Sequence, residues 1–318
     1  MMSRIPTATV VVTAASTAAV APIVRSWLIR RGAFDLPNAR SSHSEPVPRG
    51  GGLACAVGSL AGVALGASPK GATVLDWLGA SASLGMVGHF DDVRDLSAAP
   101  RLGAQVLAGT VVGARAGGIR GAVLGALTLP AVINAFNFMD GINGISGGTA
   151  VSWGLTVLTD PLFGRHIVSQ GALAAGMGFG FLPYNVPRAS MFLGDVGSYF
   201  LGSGIATTVV QASFSNGSFE FGRLQRVLAP LALYLADTGS AIVRRGLRGE
   251  PLAEAHSEHV YQKLVREIGL PHWGAAGVIT LGSALCGLAG RWKNRYLGIG
   301  SLVACYLLLP SLLKAAYR

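Results

Sequence analysis

The stretch NAFNFMDGING, residues 134–144, sets Asn134, Asn137, Asp140 and the turn dipeptides Asp140-Gly141 and Asn143-Gly144 between two long apolar runs. If those runs cross a bilayer, the stretch must sit at a membrane face or line a cavity. A carboxylate facing hydrocarbon would cost several kcal/mol. Its reading therefore decides both the fold and where chemistry is to be sought.

The composition makes the bilayer the right frame. Hydrophobic residues are 51% and charged residues 13% of 318, against about 25% charged in soluble domains, and mean hydropathy is +0.50. The chain reads as an integral membrane protein, all-α, a polytopic helix bundle formed by one domain over residues 1–318. The net charge of +10 is scattered in short clusters between apolar runs. Nucleic-acid binding is therefore set aside in favour of basic loops beside anionic headgroups. Cys55, Cys286 and Cys305 lie in apolar surroundings without ligand spacing and read as small core hydrophobes.

Apolar runs cover roughly 7–28, 51–68, 72–89, 102–117, 120–136, 146–160, 166–184, 197–212, 227–243, 273–290 and 296–313, which predicts ten or eleven transmembrane helices. The first run reads as a retained helix. Alternation of eleven spans puts the loops after runs one, three, five, seven and nine on one face. Those loops hold nearly all the acidic constellations. By our count the same face carries about fourteen Lys and Arg against about ten opposite, which predicts that it is cytoplasmic.

Asp91, Asp92 and Asp95 cluster at the end of the third run, where continued helix would place two of them on one face. Asp195, in FLGDVGS, opens the eighth run beside glycines that allow close approach of a ligand. Mg²⁺ is held by one or two carboxylates together with substrate phosphates. Arg40, His43, Arg49, Arg244, Arg245, Arg248, His256 and His259 add positive or proton-donating groups on the same face. Each residue alone has a bland reading. Asp91 and Asp92 could cap helices, Asp140-Gly141 could simply turn, and arginines could anchor a helix end. Asp237, inside LALYLADTGSAIV, should face the bundle interior, and its bland reading is a structural one, paired through helix packing. Together on one face the loop residues describe a metal-diphosphate site.

Five segments, FDLPNARSSHSEPVPRGGG, DDVRDLSAAPRLGAQ, NAFNFMDGINGIS, NVPRASMFLGDVGSYFLG and RRGLRGEPLAEAHSEHVYQKL, resemble the polyprenyl-phosphate N-acetylhexosamine-1-phosphate transferases. That family includes the phospho-N-acetylmuramoyl-pentapeptide transferase and the enzymes that initiate O-antigen. The resemblance implies Mg²⁺-dependent transfer, with Mn²⁺ as a substitute, of a sugar 1-phosphate from a UDP-N-acetylhexosamine to undecaprenyl phosphate. The site would be a cytoplasmic cleft of the bacterial inner membrane. It implies Asp195 as metal ligand, and Asp91 and Asp92 as the catalytic pair that engages or deprotonates the lipid phosphate. Asp140, counted with them as catalytic, would shape the nucleotide-sugar pocket with Asn134 and Asn137. Asn185 and Phe192 would contact the uracil end, and His259, Arg40, His43, Arg49, Arg244 and Arg245 would hold phosphate or sugar. A homodimer is compatible with this reading.

The chain departs from the family pattern at Ser41, where a lysine is usual, and at Asn143, where many members have an aspartate. Its last loop, HSEHVYQKL, is most similar to the O-antigen-initiating branch, including members that use 6-deoxy-N-acetylhexosamines. The rival reading from another class is a nucleotide-sugar carrier, which would share ligands with the enzyme. Such carriers usually show internal repeats, and none is visible between the halves of this chain.

Overall fold

The computed structural model describes residues 4–37, 45–65, 71–251 and 258–316. In these residues each apolar run is helical. The elements are α1 (Arg4–Arg30), a two-stranded ladder of β1 (Phe34–Asp35) and β2 (Val47–Pro48), α2 (Gly52–Leu65), α3 (Ala72–Arg94), α4 (Ala98–Met139), α5 (Ile145–Leu158), α6 (Arg165–Asn185) and α7 (Gly194–Ala212). A short hairpin of β3 (Phe214–Ser215) and β4 (Ser218–Phe219) leads to α8 (Phe221–Leu228). A 3₁₀ turn at Ala229–Leu231 joins it to α9 (Ala232–Leu247), followed by α10 (Val260–Arg266), α11 (His272–Ala289) and α12 (Arg295–Ala316).

The fourth and fifth runs form one helical hairpin. α4 breaks at Gly117 and Gly118, the latter with φ +60, a left-handed turn that glycine adopts without a Cβ penalty. Its two arms then press backbone to backbone. A Cβ on Gly109 would collide with the carbonyl of Gly125, and one on Gly113 with that of Gly121. Small residues at four-residue spacing are how helices approach closely where no hydrophobic effect drives them together.

Five segments are long and apolar enough to span a bilayer: Pro6–Arg30, Ala98–Met139, Phe221–Leu247, His272–Ala289 and Arg295–Ala316. α2 and α5 are shorter apolar helices. The outer surface carries Leu65, Leu75, Leu107, Ile119, Leu127, Leu281 and Leu297, all more than half exposed, the apolar exterior of a polytopic membrane bundle. At the centre stands α7, with α2, α3, α4 and α6 packed around it. All nineteen of its residues except Asp195 are buried. A helix apolar on every side belongs in the middle of a bundle, so its one accessible carboxylate marks where the interior opens.

The five polar loops meet at a single end, as alternation of the spans predicts. The loop after α1 is stitched to the loop before α7. Phe192 N–H donates to the Pro48 carbonyl at 2.8 Å, and the N–H groups of Gly50 and Gly51 donate back to Phe192 O at 3.2 and 2.8 Å. Asn143 donates to Pro187 O at 3.3 Å, joining the loops after α4 and α6. Tyr261, at the start of α10, donates to Phe138 O at 3.3 Å and joins the last loop to the same place.

Candidate active site at the N-terminus of α7

Asp92, in the last turn of α3, reaches across to the start of α7. Its Oδ1 accepts the N–H of Asp195 at 3.0 Å and its Oδ2 that of Val196 at 2.9 Å. The carboxylate thus caps a helix to which it does not belong, facing the positive end of that helix dipole. Such a cap requires α3 and α7 to touch. Gly88, one turn before Asp92, allows it, since a Cβ there would collide with the carbonyl of Asp195.

Arg49 bridges the two acids, with Nε 2.8 Å from Asp92 Oδ1 and Nη2 2.8 Å from Asp195 Oδ1. Pairing with Phe192 holds its backbone in register. Asn137 Nδ2, in the last turn of α4, donates to the same Asp195 Oδ1 at 2.9 Å and lies 3.3 Å from Ser198 Oγ. Both partners of Asp195 therefore fall on one oxygen, and Oδ2 accepts neither. Asp91 points the other way. It accepts Leu96 N–H at 2.9 Å and pairs with Arg101 Nη1 at 2.5 Å, at the start of α4.

Asp140, in the turn after α4, completes the acidic set. It lies within electrostatic range of Asp195, Asp92 and Arg49. Burial, with the negative charge of Asp195 and Asp92 adding and Arg49 opposing, pushes its carboxyl up to about 7. A raised folded-state value means that the proton favours the fold. That contribution is complete below the ordinary carboxylate range and is lost as pH rises through about 7. We expect a protonated-carboxyl band in infrared difference spectra of the metal-free protein to disappear as pH passes about 7. It should be absent in Asp140→Asn; a band lost instead near pH 4 would contradict this environment.

Not every expected residue converges on this centre. Asp95 ends α3 in a left-handed conformation (φ 49), with its N–H on Asp91 O, and its side chain is exposed. Asn134 bonds within the α4 hairpin, donating to Gln105 Oε1 and Pro130 O, both at 2.8 Å. Asn185 clamps two loops, accepting Gly144 N–H at 2.6 Å and donating to Met191 O at 3.1 Å. Phe192 contributes its backbone to the stitch just described. Arg40, His43, Ser41 and His256 lie outside the described residues.

The last loop is braced by ion pairs. Arg244 donates to Glu258 O, while buried Arg245 pairs with Glu250 and donates to Pro251 O. His259 is held by Asp237, which is fully buried in α9. His259 Nδ1 is 3.2 Å from Asp237 Oδ1, Val260 N–H donates at 3.0 Å to Oδ2, and Tyr306 Oη donates to Oδ2 at 2.7 Å. The His259 ring then stacks on Tyr261, centroids 5.5 Å apart. At Gly141, beside Asp140, a Cβ would collide with the Tyr261 hydroxyl. His259 thus approaches the acidic turn through Tyr261.

Arg101 and Tyr261 stand inside quoted motifs without being singled out there. An arginine ten residues after its aspartate has no helical periodicity to flag it. Asn143 donates its amide to the Pro187 carbonyl, a bond a carboxylate could not make.

Four carboxylates, two arginines and Asn137 make an all-oxygen acidic site lined with counter-charge, suited to a hard cation and phosphates. Among the described residues no three His, Cys, Asp or Glu converge as a self-sufficient metal cluster. Asp195 Oδ2, with Asp92 and Asp140 nearby, has the donor chemistry of a partial shell that phosphates and water would complete.

Residues 74–213, from α3 through α7 and so across most of this centre, match the family described as glycosyl transferase family 4. The chain is 30% identical to the decaprenyl-phosphate N-acetylglucosaminephosphotransferase of Mycolicibacterium smegmatis, over 82% of this chain and 77% of the relative. It is 29% identical to a probable undecaprenyl-phosphate N-acetylglucosaminyl 1-phosphate transferase of Bacillus subtilis, with the same coverage. A shorter likeness, 33% over 38% of the chain and 36% of the relative, links it to the phospho-N-acetylmuramoyl-pentapeptide-transferase of Moorella thermoacetica. A membrane bundle whose acidic centre lies within the matched segment, with relatives aligned over most of their length, places the chain in glycosyl transferase family 4, among the polyprenyl-phosphate sugar-1-phosphate transferases.

Proposed function

We propose that the protein transfers N-acetylhexosamine 1-phosphate from a UDP-sugar to undecaprenyl phosphate, giving the undecaprenyl-diphosphate sugar and UMP. The full chain acts as one transferase unit with its site on the cytoplasmic face of a bacterial inner membrane, initiating a surface polysaccharide of the O-antigen kind. N-acetylglucosamine is the first sugar to test, since the relatives over most of the chain carry it in their names. A 6-deoxy-N-acetylhexosamine is the second.

The observation that carries the reading is the Asp92–Arg49–Asp195–Asn137 knot at the start of α7, with Asp140 beside it. Two anions must be brought together here, and the residues around the start of α7 supply a group for each role. Asp195, with Asp140 and Asp92 near, would hold Mg²⁺, which when bound neutralises the diphosphate and polarises its phosphoryl oxygens. Arg49 and Arg101 carry positive charge on either side of the acids and hold phosphate oxygens in line. An oxygen of the lipid phosphate attacks the β-phosphorus of the UDP-sugar. The new P–O bond forms as the bond to the bridging oxygen breaks, and UMP leaves with that electron pair. Asp91 or Asp92 takes any proton remaining on the attacking phosphate. Attack is direct, without a phosphorylated protein.

The test incubates purified protein with Mg²⁺, undecaprenyl phosphate and a panel of UDP-sugars and measures UMP. Release is expected with a UDP-N-acetylhexosamine, and chelation of the metal should stop it. No UMP with any sugar would sink the transferase reading, and metal-independent uptake of nucleotide sugar into vesicles would favour a carrier.

A further inference from the structure

We propose that the end of the bundle opposite the acidic centre binds the phosphate headgroup of an anionic phospholipid, in a basic pocket formed by α8 and the start of α12. The proposal is independent of the reaction given above. α5, α7 and α11 each begin at the polar-loop end and finish here, which brings together the turn after α5, the β3–β4 hairpin with α8, and the turn before α12. With the acidic centre on the cytoplasmic face, this is the end from which Lys and Arg are normally depleted. It nevertheless gathers Arg223, Arg226, Arg291 and Arg295, and orientation in the membrane does not account for them.

The acid they surround is Asp160, buried in the turn after α5. Arg226 satisfies it, with Nε 2.9 Å from Oδ2 and Nη2 2.7 Å from Oδ1, and Leu162 N–H donates to Oδ1 at 2.9 Å. Arg291 Nε stands 3.7 Å from the same carboxylate, too far to donate, and is buried without a hydrogen bond. Its Nη2 donates to the Thr156 carbonyl at 2.7 Å and to Thr159 Oγ1 at 2.8 Å. Arg223 donates to the carbonyls of Ala212 and Leu162 at 2.8 and 3.0 Å. Arg295 Nε, one turn beyond Arg291, is also buried without a hydrogen bond. One carboxylate thus answers four guanidinium groups, and the surplus positive charge faces neutral oxygens. The remaining acid on these turns, Glu220, is outnumbered by Arg165 and Lys293.

The occupant follows from where this charge lies. Phe221, Trp292 and Tyr296, each more than half exposed, make the aromatic fringe that sits at headgroup level. Leu297, next along α12, is exposed to the acyl layer. A ligand here needs negative oxygens that suit guanidinium forks and an apolar body below them. A phosphodiester headgroup with its acyl chains along α12 supplies both, whereas a free anion supplies only the first. The side chains of Arg226 and Arg291 are 19% and 23% exposed, open to an incoming oxygen yet partly shielded from salt. Gln225 of α8 donates to the Tyr296 hydroxyl, so the headgroup sits across the joint between α8 and α12. α8 continues into α9, which Asp237 ties to α12 through Tyr306. A bound headgroup closes the far end of that helix pair and stabilises the fold by binding it.

The test titrates delipidated protein in neutral detergent with phosphatidylglycerol or phosphatidylethanolamine of the same acyl chains, followed by native mass spectrometry and thermal unfolding. One phosphatidylglycerol per chain should be retained in preference to phosphatidylethanolamine, and it alone should raise the unfolding midpoint. Arg295→Gln, which breaks no contact with a carboxylate, should weaken phosphatidylglycerol binding about tenfold, the loss of one charge-assisted hydrogen bond. Arg165→Gln, at an exposed cation of the same end, should leave binding unchanged. In the wild type, phosphatidylglycerol carrying a photoreactive headgroup should label the peptide that holds Arg291 to Tyr296, a readout that needs no folded variant. Equal retention of the two lipids, an Arg295→Gln affinity equal to that of wild type or of Arg165→Gln, or labelling confined to other faces would overturn the proposal. A midpoint rise as large with inorganic phosphate would overturn it too, as the mark of a free-anion site.

Discussion

Asp195→Asn is expected to lower kcat by about a thousandfold or more, the loss of several kcal/mol of charge stabilisation at a phosphoryl centre, while the protein stays folded. Both outcomes follow from the same geometry. The asparagine keeps an Oδ1 that can still accept from Asn137 and Arg49. Arg49 keeps its second partner in Asp92, so no buried cation is stranded. The α7 cap is also intact, because it is made by Asp92 and the backbone of residue 195 rather than by its side chain. What disappears is the negative charge at the one accessible position of an otherwise buried helix. UMP release against Mg²⁺ concentration, alongside thermal unfolding in detergent, separates these effects. Wild type inhibited by chelation should recover with Mg²⁺ or Mn²⁺, and the variant should recover with neither. Retained activity in Asp195→Asn would remove the metal assignment from this residue.

Asp237→Ala should be the most damaging change away from the acidic centre, costing roughly 3–5 kcal/mol of stability, the scale for breaking a buried network by removing one partner. Asp237 has no solvent exposure and serves three elements at once: α9 itself, the start of α10 through His259 and Val260, and α12 through Tyr306. Without the carboxylate, the Val260 N–H, the Tyr306 hydroxyl and the His259 ring would face a dry cavity, each donor costing about 1–3 kcal/mol unpaired. His259 also caps α10 in a reciprocal box with Gln262, so the damage should propagate into the loop that carries Tyr261 to Gly141. A lowered unfolding midpoint, faster proteolysis after Arg248 and a raised KM for the UDP-sugar are the expected readouts. Asp237→Asn, which keeps one acceptor oxygen, should lose less on all three. An Ala variant with unchanged unfolding would show that the network carries no net stability.

The two predictions differ in how far local pattern could reach them. The position of Asp195 at the start of an apolar run is visible along the chain, and α7 begins at Gly194 as that pattern requires. Asp237 in the middle of an apolar run is likewise legible as an inward-facing acid, because lipid excludes the alternative. Its partners in α10 and α12 are not, being 22 to 69 positions away.

By itself the sequence determined the eleven apolar helical runs, the gathering of five polar loops at one end, and the family to which the motifs belong. Hydropathy and the parity of successive spans are properties of the chain taken in order, and the bilayer leaves helices little choice. Only the tertiary structure decided what each polar residue does. Asp91 and Asp92 are neighbours in sequence, yet one faces Arg101 and the other caps a helix whose first N–H groups lie 103 and 104 positions away. Asn134 and Asn137 share a motif, yet one closes a hairpin and the other meets Asp195. The physical reason is that helix periodicity orients a side chain only about its own axis. Its partner is chosen by which helices pack, and here that rests on close approaches such as Gly88 against the backbone of Asp195.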